Sequence, residues 1–193
     1  VYKRQIKDNV CQKRFLKNTD RSNSLWMTPI EGSKALFVTE DPLDAIAHSQ
    51  LFPGARYAYL CTGGTSTKAQ REMIHSFSQK FKLPIILGND NDLAGQLENF
   101  KLAYHTANIE YAINSKTQRV LLTVNGAERE WGKDEIVAAL QAVMKQRPNM
   151  ILSIPWAKDW NDDLRSSKKS ISLRIAENMA RVQIETTKSE QRG

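Results

Sequence analysis

Three groups of carboxylates in this chain have residue types and spacing that could do chemistry together. Glu40 and Asp41 end an apolar run, Asp90 and Asp92 stand in Gly88-Asn89-Asp90-Asn91-Asp92, and Asp159, Asp162 and Asp163 lie in Lys158-Asp159-Trp160-Asn161-Asp162-Asp163-Leu164. Carboxylates packed closely repel one another, so either some hold protons or cations neutralise them. No His or Cys stands beside these acids, and an all-oxygen donor set favours a hard cation, Mg²⁺ first with Mn²⁺ as a plausible substitute. In an Asp-x-Asp turn the intervening residue lets two carboxylates point the same way, which suits one ion or a pair. Asp and Asn are also ordinary turn and N-cap residues, so any one cluster taken alone reads first as a loop.

What raises the clusters above loops is the elements that must position them. Ala35-Leu36-Phe37-Val38-Thr39 reads as a buried strand running into Glu40, and Pro42 then opens a helix through about Gln50. Tyr57-Ala58-Tyr59-Leu60-Cys61 is a second strand, followed by the turn Thr62-Gly63-Gly64-Thr65. Thr67 and Gln70 form a capping box that starts a helix to about Lys80. Pro84-Ile85-Ile86-Leu87 is a third strand entering the Asp90 cluster, and the pattern is helical from Leu93 to about Ala107. Met150-Ile151-Leu152-Ser153-Ile154 is a fourth, ahead of the Asp159 cluster. Strands alternating with helices predict a parallel sheet with helices on its faces, and such sheets carry their chemistry beyond the carboxyl ends of the strands. All three acidic groups fall there.

Other segments frame this core. Residues 1–33 read as a lead-in of short strands or irregular chain. Arg119 to Trp131 reads as a hairpin around Asn125-Gly126, and Ile136 to Met144 as a further helix. The stretch 115–146 is therefore expected to be an insertion that adds a hairpin and a helix at the sheet edge. Residues 166–193 are expected to hold a C-terminal amphipathic helix, over about 170–182, and a disordered tail.

The chain has 193 residues, is 40% hydrophobic and 25% charged, and has a formal net charge of +7. Residues 1–34 hold eight Lys/Arg and three acids, residues 165–193 hold seven and three, and residues 35–164 hold thirteen and fifteen. A slightly acidic middle between basic ends suits an electrostatic grip on a polyanion around an acidic site; Lys/Arg-rich ends also occur simply as solvated tails. No apolar run approaches the length of a membrane span and no secretory signal is visible. Cys11 and Cys61 read as reduced thiols of a cytoplasmic protein. The chain opens on Val1 and enters polar sequence directly, which is expected of a piece cut from a longer protein.

The three motifs, Val38-Thr39-Glu40-Asp41-Pro42-Leu43-Asp44, Leu87-Gly88-Asn89-Asp90-Asn91-Asp92-Leu93-Ala94-Gly95 and Lys158-Asp159-Trp160-Asn161-Asp162-Asp163-Leu164, resemble in order the motifs of a Toprim domain. That fold is shared by bacterial-type primases, type IA and type II topoisomerases and some nucleases. The resemblance is nearest to Toprim domains of primase-like and relaxase-associated proteins of conjugative plasmids and other mobile elements. It spans roughly residues 34–165 with an interruption between about 108 and 148. It implies a Rossmann-like α/β fold with a mainly parallel central sheet flanked by helices, Mg²⁺, and phosphoryl or nucleotidyl transfer on DNA (single-stranded first) or RNA, with NTPs as possible substrates. Further domains of a parent primase or plasmid-mobilisation protein are implied as well. Residue by residue, it makes Glu40 the catalytic acid or base, Asp90 and Asp92 the metal pair, and Asp159 a further metal residue. Asp162 is a weaker candidate for the same role, and Asp44, Gly63, Gly64, Gly95 and Asp162 are expected to be structural at the site. Asp41 departs from the Gly or Ser of many members and could add a ligand or cap the first helix. Lys158, Trp160 and Lys68 are candidates for phosphate or nucleic-acid contact, Lys158 equally for pairing with a carboxylate.

Three activities stay open: primase-like nucleotidyl transfer, nuclease action, and nucleic-acid binding without turnover. A topoisomerase fits poorly without large strand-gating regions, and a phosphate-receiver domain fits poorly with Glu40 ending the first strand. Thr62-Gly63-Gly64-Thr65 reads as a sharp strand-to-helix turn before a phosphate cradle, because the full P-loop pattern is missing. His48, His75 and His105 read as surface or core-edge residues. Trp131 reads as hairpin packing, while Trp156 flanks the third motif and could meet substrate.

Overall fold

The computed structural model describes residues 19–167 in full, together with the backbone of residues 2–7 and 10–15. The chain order is β1 (Tyr2–Lys7), β2 (Val10–Phe15), β3 (Trp26–Met27), β4 (Ala35–Thr39), α1 (Pro42–Leu51), β5 (Tyr57–Cys61), α2 (Lys68–Phe81), β6 (Ile85–Leu87) and α3 (Leu93–Ala103). It continues with β7 (Ile109–Asn114), β8 (Arg119–Val124), β9 (Ala127–Trp131), α4 (Lys133–Gln146), β10 (Met150–Leu152) and α5 (Trp160–Ser167). The helix expected over about 170–182 and the tail after it lie outside the described residues.

A five-stranded sheet in the order β10-β6-β4-β5-β3 forms the centre. Its first four strands run parallel, and only the two-residue β3 is antiparallel to its neighbour. Every residue of β4 is buried, as a central parallel strand with both faces covered requires. Alternation along it feeds two cores. Leu36 and Val38 pack with Ile74 of α2, Leu97 and Phe100 of α3, and Ile136 and Leu140 of α4. Ala35 and Phe37 pack with Ala45 and Ala47 of α1 and Trp160 of α5. Helices thus cover both faces of a mostly parallel sheet, the α/β arrangement that the alternating pattern predicts.

The expected hairpin is part of something larger. β7, a strand that the sequence pattern does not reveal, joins β8 and β9 in a separate three-stranded antiparallel sheet. This corrects the expectation of a hairpin added at the edge of the central sheet. The Asn125-Gly126 turn is as read, with φ of 50° and 86° at its two residues, the positive pair that a tight hairpin needs. Val120 and Leu122 bury one face of this sheet against the α3–α4 side of the main core.

Candidate functional site

Three helices open at the carboxyl ends of three neighbouring parallel strands, and an aspartate stands at the start of each. Asp41 caps α1, its Oδ1 accepting from the Leu43 amide at 2.9 Å. Asp92 caps α3 through the Gly95 amide, also at 2.9 Å. Asp159 accepts from the Asp162 amide at 2.8 Å as α5 begins. Each cap satisfies an amide that the helix itself cannot, at the positive end of the helix dipole. The Asp-x-Asp and Lys-Asp-Trp motifs therefore serve local structure first, and that duty places them at one edge of the sheet.

The loops between these caps are bound to one another. The Gly63 amide donates to the Glu40 carbonyl at 2.8 Å and the Thr62 amide to the Thr39 carbonyl at 3.2 Å, so the turn after β5 fixes the backbone of Glu40. Gly63 and Gly64 have φ of 74° and 130°, values that side-chain-bearing residues rarely adopt. The turn is the sharp strand-to-helix connection expected, and the Thr67–Gln70 capping box of α2 follows it. The Asn91 amide donates to the Lys158 carbonyl at 2.7 Å, and the Asn91 side chain donates to the Pro155 carbonyl at 3.1 Å. The second and third motifs are thereby joined. Gly95 permits the close approach of α3: a Cβ there would press on the Asp90 carbonyl oxygen and come within 2.7 Å of its amide nitrogen. Gly95→Ala should therefore shift the Asp90 loop and cost about 1–3 kcal/mol in a urea melt, as overpacking against immovable backbone does.

The electrostatics single out two acids. Asp90 is half-buried, and its pKa is raised from 3.8 to about 7 by burial first and then by Asp44, Asp92, Glu40 and Asp159. Among the described residues no cation pairs with its carboxylate and no donor reaches it. Asp44, 6% exposed, is raised to about 6 by burial, then by Asp159 and Asp41, against the lowering effect of Asn161. The Asn161 side-chain amide donates to Asp44 Oδ1 at 2.6 Å. Asp44 thus ties α1 to α5 and also belongs to the charged cluster.

The surrounding carboxylates are near enough to add to the proton affinity of Asp90 and Asp44. Among the described residues, however, no three His, Cys, Asp or Glu side chains are gathered as a ligand set for one ion. The two observations agree once the caps are considered, because Asp92 and Asp159 each commit an oxygen to a helix amide. The donor chemistry, all carboxylate with a proton-hungry Asp90, fits a hard divalent cation.

The remaining sequence candidates divide. Lys158 Nζ lies 3.7 Å from Asp92 Oδ2, so it pairs with a carboxylate. Trp160 is corrected: it is 2% exposed, and its indole donates to the Gly88 carbonyl at 2.7 Å, so its ring is core and out of reach of a base. Lys68 is the first residue of α2, its side chain 72% exposed and 3.9 Å from Glu72. Asp162 pairs with Arg165 at 3.3 Å along α5. Trp156 is exposed.

Sequence reasoning gave no individual role to three contributors. Asp163 accepts from the Trp156 and Ala157 amides, both at 2.8 Å, and so shapes the loop leading to Lys158; the doubled Asp of the third motif was its signal. Gln96 donates to the Asp90 carbonyl at 2.8 Å. Lys133, at the start of α4 in the inserted region, sets Nζ 3.3 Å from Asn91 Oδ1, a link that no local pattern announces.

Residues 37–119 match the family described as Toprim-like. The matched span includes Glu40, Asp44, Asp90, Asp92 and Gly95 and stops short of Asp159. Toprim domains typically bind Mg²⁺ and act on nucleic acid. No curated protein matches the chain, and no solved structure does. Among the described residues no helix is long and apolar enough to cross a membrane.

Proposed function

We propose that this chain is a Mg²⁺-dependent Toprim domain acting on DNA or RNA by phosphoryl or nucleotidyl transfer, within a larger primase-like or DNA-mobilisation protein. The observation that carries the reading is Asp90, a half-buried carboxylate with no cation or donor of its own among the described residues, crowded by Glu40, Asp44, Asp92 and Asp159. Asp90 and Asp92 are the residues to hold the ion, with Asp159 and Asp41 near them as caps. When bound, Mg²⁺ supplies positive charge to the phosphate oxygens.

The chain's own groups do the rest. Glu40, its backbone fixed by the Gly63 amide, exchanges a proton with the attacking or leaving oxygen. Lys158, exposed beside Asp92, can turn from that carboxylate to a phosphate. The basic excess of the two chain ends draws in the polyanion, with an affinity that falls as salt rises.

A second reading has a specific observation in its favour. Since no three acids among the described residues are gathered as a ligand set, the domain could bind nucleic acid without turning it over. One assay separates the readings: the chain incubated with single-stranded DNA, NTPs and Mg²⁺ or Mn²⁺, beside a Glu40→Gln control. Primer synthesis abolished in the variant supports nucleotidyl transfer, and strand cleavage abolished in the variant identifies a nuclease. Binding that survives EDTA, without either product, assigns the binding module and overturns the proposed chemistry.

A further inference from the structure

The two edges of the three-stranded sheet differ in kind. β9 presents Glu128, Arg129 and Glu130, charges of the sort that discourage pairing at an exposed edge. β7 presents Glu110 alone among Ile109, Tyr111, Ala112, Ile113 and Asn114. Tyr111 and Ile113 are 40% and 43% exposed, although each shares a sheet face with a buried cross-strand partner, Leu122 and Val120. The strand overhangs the core it belongs to.

The backbone of β7 is poised as well. The Asn125 amide donates to the Asn108 carbonyl at 2.9 Å, and this contact sets the phase of the ladder. Residues 108, 110, 112 and 114 exchange hydrogen bonds with β8, so Ile109, Tyr111 and Ile113 direct their amides and carbonyls away from it. Among the described residues no strand receives them.

We propose that this edge is a self-association surface: β7 pairs antiparallel with β7 of a second copy, about a two-fold axis at Ala112, joining two three-stranded sheets into one. Symmetry and charge both select the second copy as occupant. With Ala112 opposite its own counterpart, Tyr111 falls opposite the copy's Ile113 and Ile113 opposite the copy's Tyr111. All four residues have outward-directed backbone groups, so each pair exchanges two hydrogen bonds without disturbing β8. On one face Tyr111 and Ile113 cover each other. On the other, Leu121, 40% exposed and the cross-strand partner of Ala112, extends an apolar strip through Ala112 into the copy.

Charge disfavours the neighbouring register centred on Tyr111. Centred on Ala112, Glu110 falls opposite the copy's Asn114 and diagonal to its Lys116. Centred on Tyr111 instead, the two Glu110 side chains would lie diagonal to each other, and like charges across a ladder destabilise it.

Sedimentation of the full chain over low to high micromolar concentration tests this. The expected result is a rise from monomer mass to twice that mass, and a dissociation constant at least about tenfold weaker in Ile113→Lys, tenfold being the effect of roughly 1.4 kcal/mol. Ala112→Cys supplies a second measurement. Directly opposed residues of a non-hydrogen-bonded pair approach to about 4.5 Å between Cα atoms, within disulfide reach. Mild oxidation should therefore cross-link Ala112→Cys to itself and leave the wild type and Glu128→Cys, on the far edge, without a covalent cross-link. A wild type that stays monomeric throughout, an Ile113→Lys variant that dimerises as well as the wild type, or Ala112→Cys that cross-links no faster than Glu128→Cys would each overturn the proposal.

Discussion

Trp160→Ala should cost the fold about 3–5 kcal/mol, the range for deleting a large buried aromatic side chain, read from the midpoint of a urea melt. Trp160 stands at the first turn of α5 and fills the core between α1 and the sheet. Its ring meets His48 edge-on with centroids 4.7 Å apart, and Phe37 at 5.9 Å. His48 is itself held neutral, its pKa lowered to about 3 by burial, and its Nδ1 is 3.0 Å from the Tyr59 hydroxyl. Removing the indole leaves a cavity bordered by the rings of Phe37, His48 and Phe52. The variant should also loosen the site, because the indole amide donates to the carbonyl of Gly88, two residues before Asp90. Trp160→Phe separates the effects. It keeps most of the ring volume and leaves the Gly88 carbonyl unpaired, for a loss of about 1–3 kcal/mol. A Trp160→Ala variant within about 1 kcal/mol of the wild type would show that the third motif is not anchored in the core.

The same residue shows where sequence reading stops. A tryptophan between Asp159 and Asn161 looks like a substrate contact because its neighbours are polar. Only tertiary packing turns the residue inward, since α5 begins at Trp160 itself and lays it against Phe37. By contrast, β4, β5 and β6 were legible, because buried parallel strands are continuous apolar runs whatever surrounds them. The capping box at Thr67 and the Asn125-Gly126 turn were legible because their chemistry is local. β7 was not: Glu110 and Asn114 interrupt it, and its strand character comes from pairing with β8. At the site, the positions of the acids at strand ends could be read. Their first duties could not, because whether an aspartate caps a helix or faces an ion depends on where the helix starts, to the residue. Asp41 illustrates this, with capping and metal binding both consistent with its sequence and one of its oxygens found accepting from the Leu43 amide.

Asp90→Asn should make the metal-free protein more stable at pH 8 by about 2 kcal/mol and leave it nearly unchanged at pH 4. The sign follows from linkage. Asp90 titrates at 3.8 in its ordinary state and at about 7 in the fold, so between those values the native chain holds a proton that the unfolded chain has released. Stability therefore falls as pH rises from about 4 to about 7, by about 1.4 kcal/mol per unit before solvent screening reduces it. Asp44, raised to about 6, adds a loss of the same sign. Asparagine has nearly the same shape and no charge, so it removes the Asp90 contribution and flattens that part of the profile. Mg²⁺ should act in the opposite direction on the wild type. At a hundred times its dissociation constant a ligand bound only by the native state adds about 2.7 kcal/mol, and this increment should be largest at pH 8, where the carboxylate is free of its proton. In Asp90→Asn the increment should shrink to a small fraction. The two curves measured with EDTA and with Mg²⁺ then distinguish a repulsive cluster from an ion site. A wild type whose stability responds to pH but not to Mg²⁺ has the cluster without the site. A gap between wild type and variant that stays constant from pH 4 to 8 would remove the charge crowding on which the metal assignment rests.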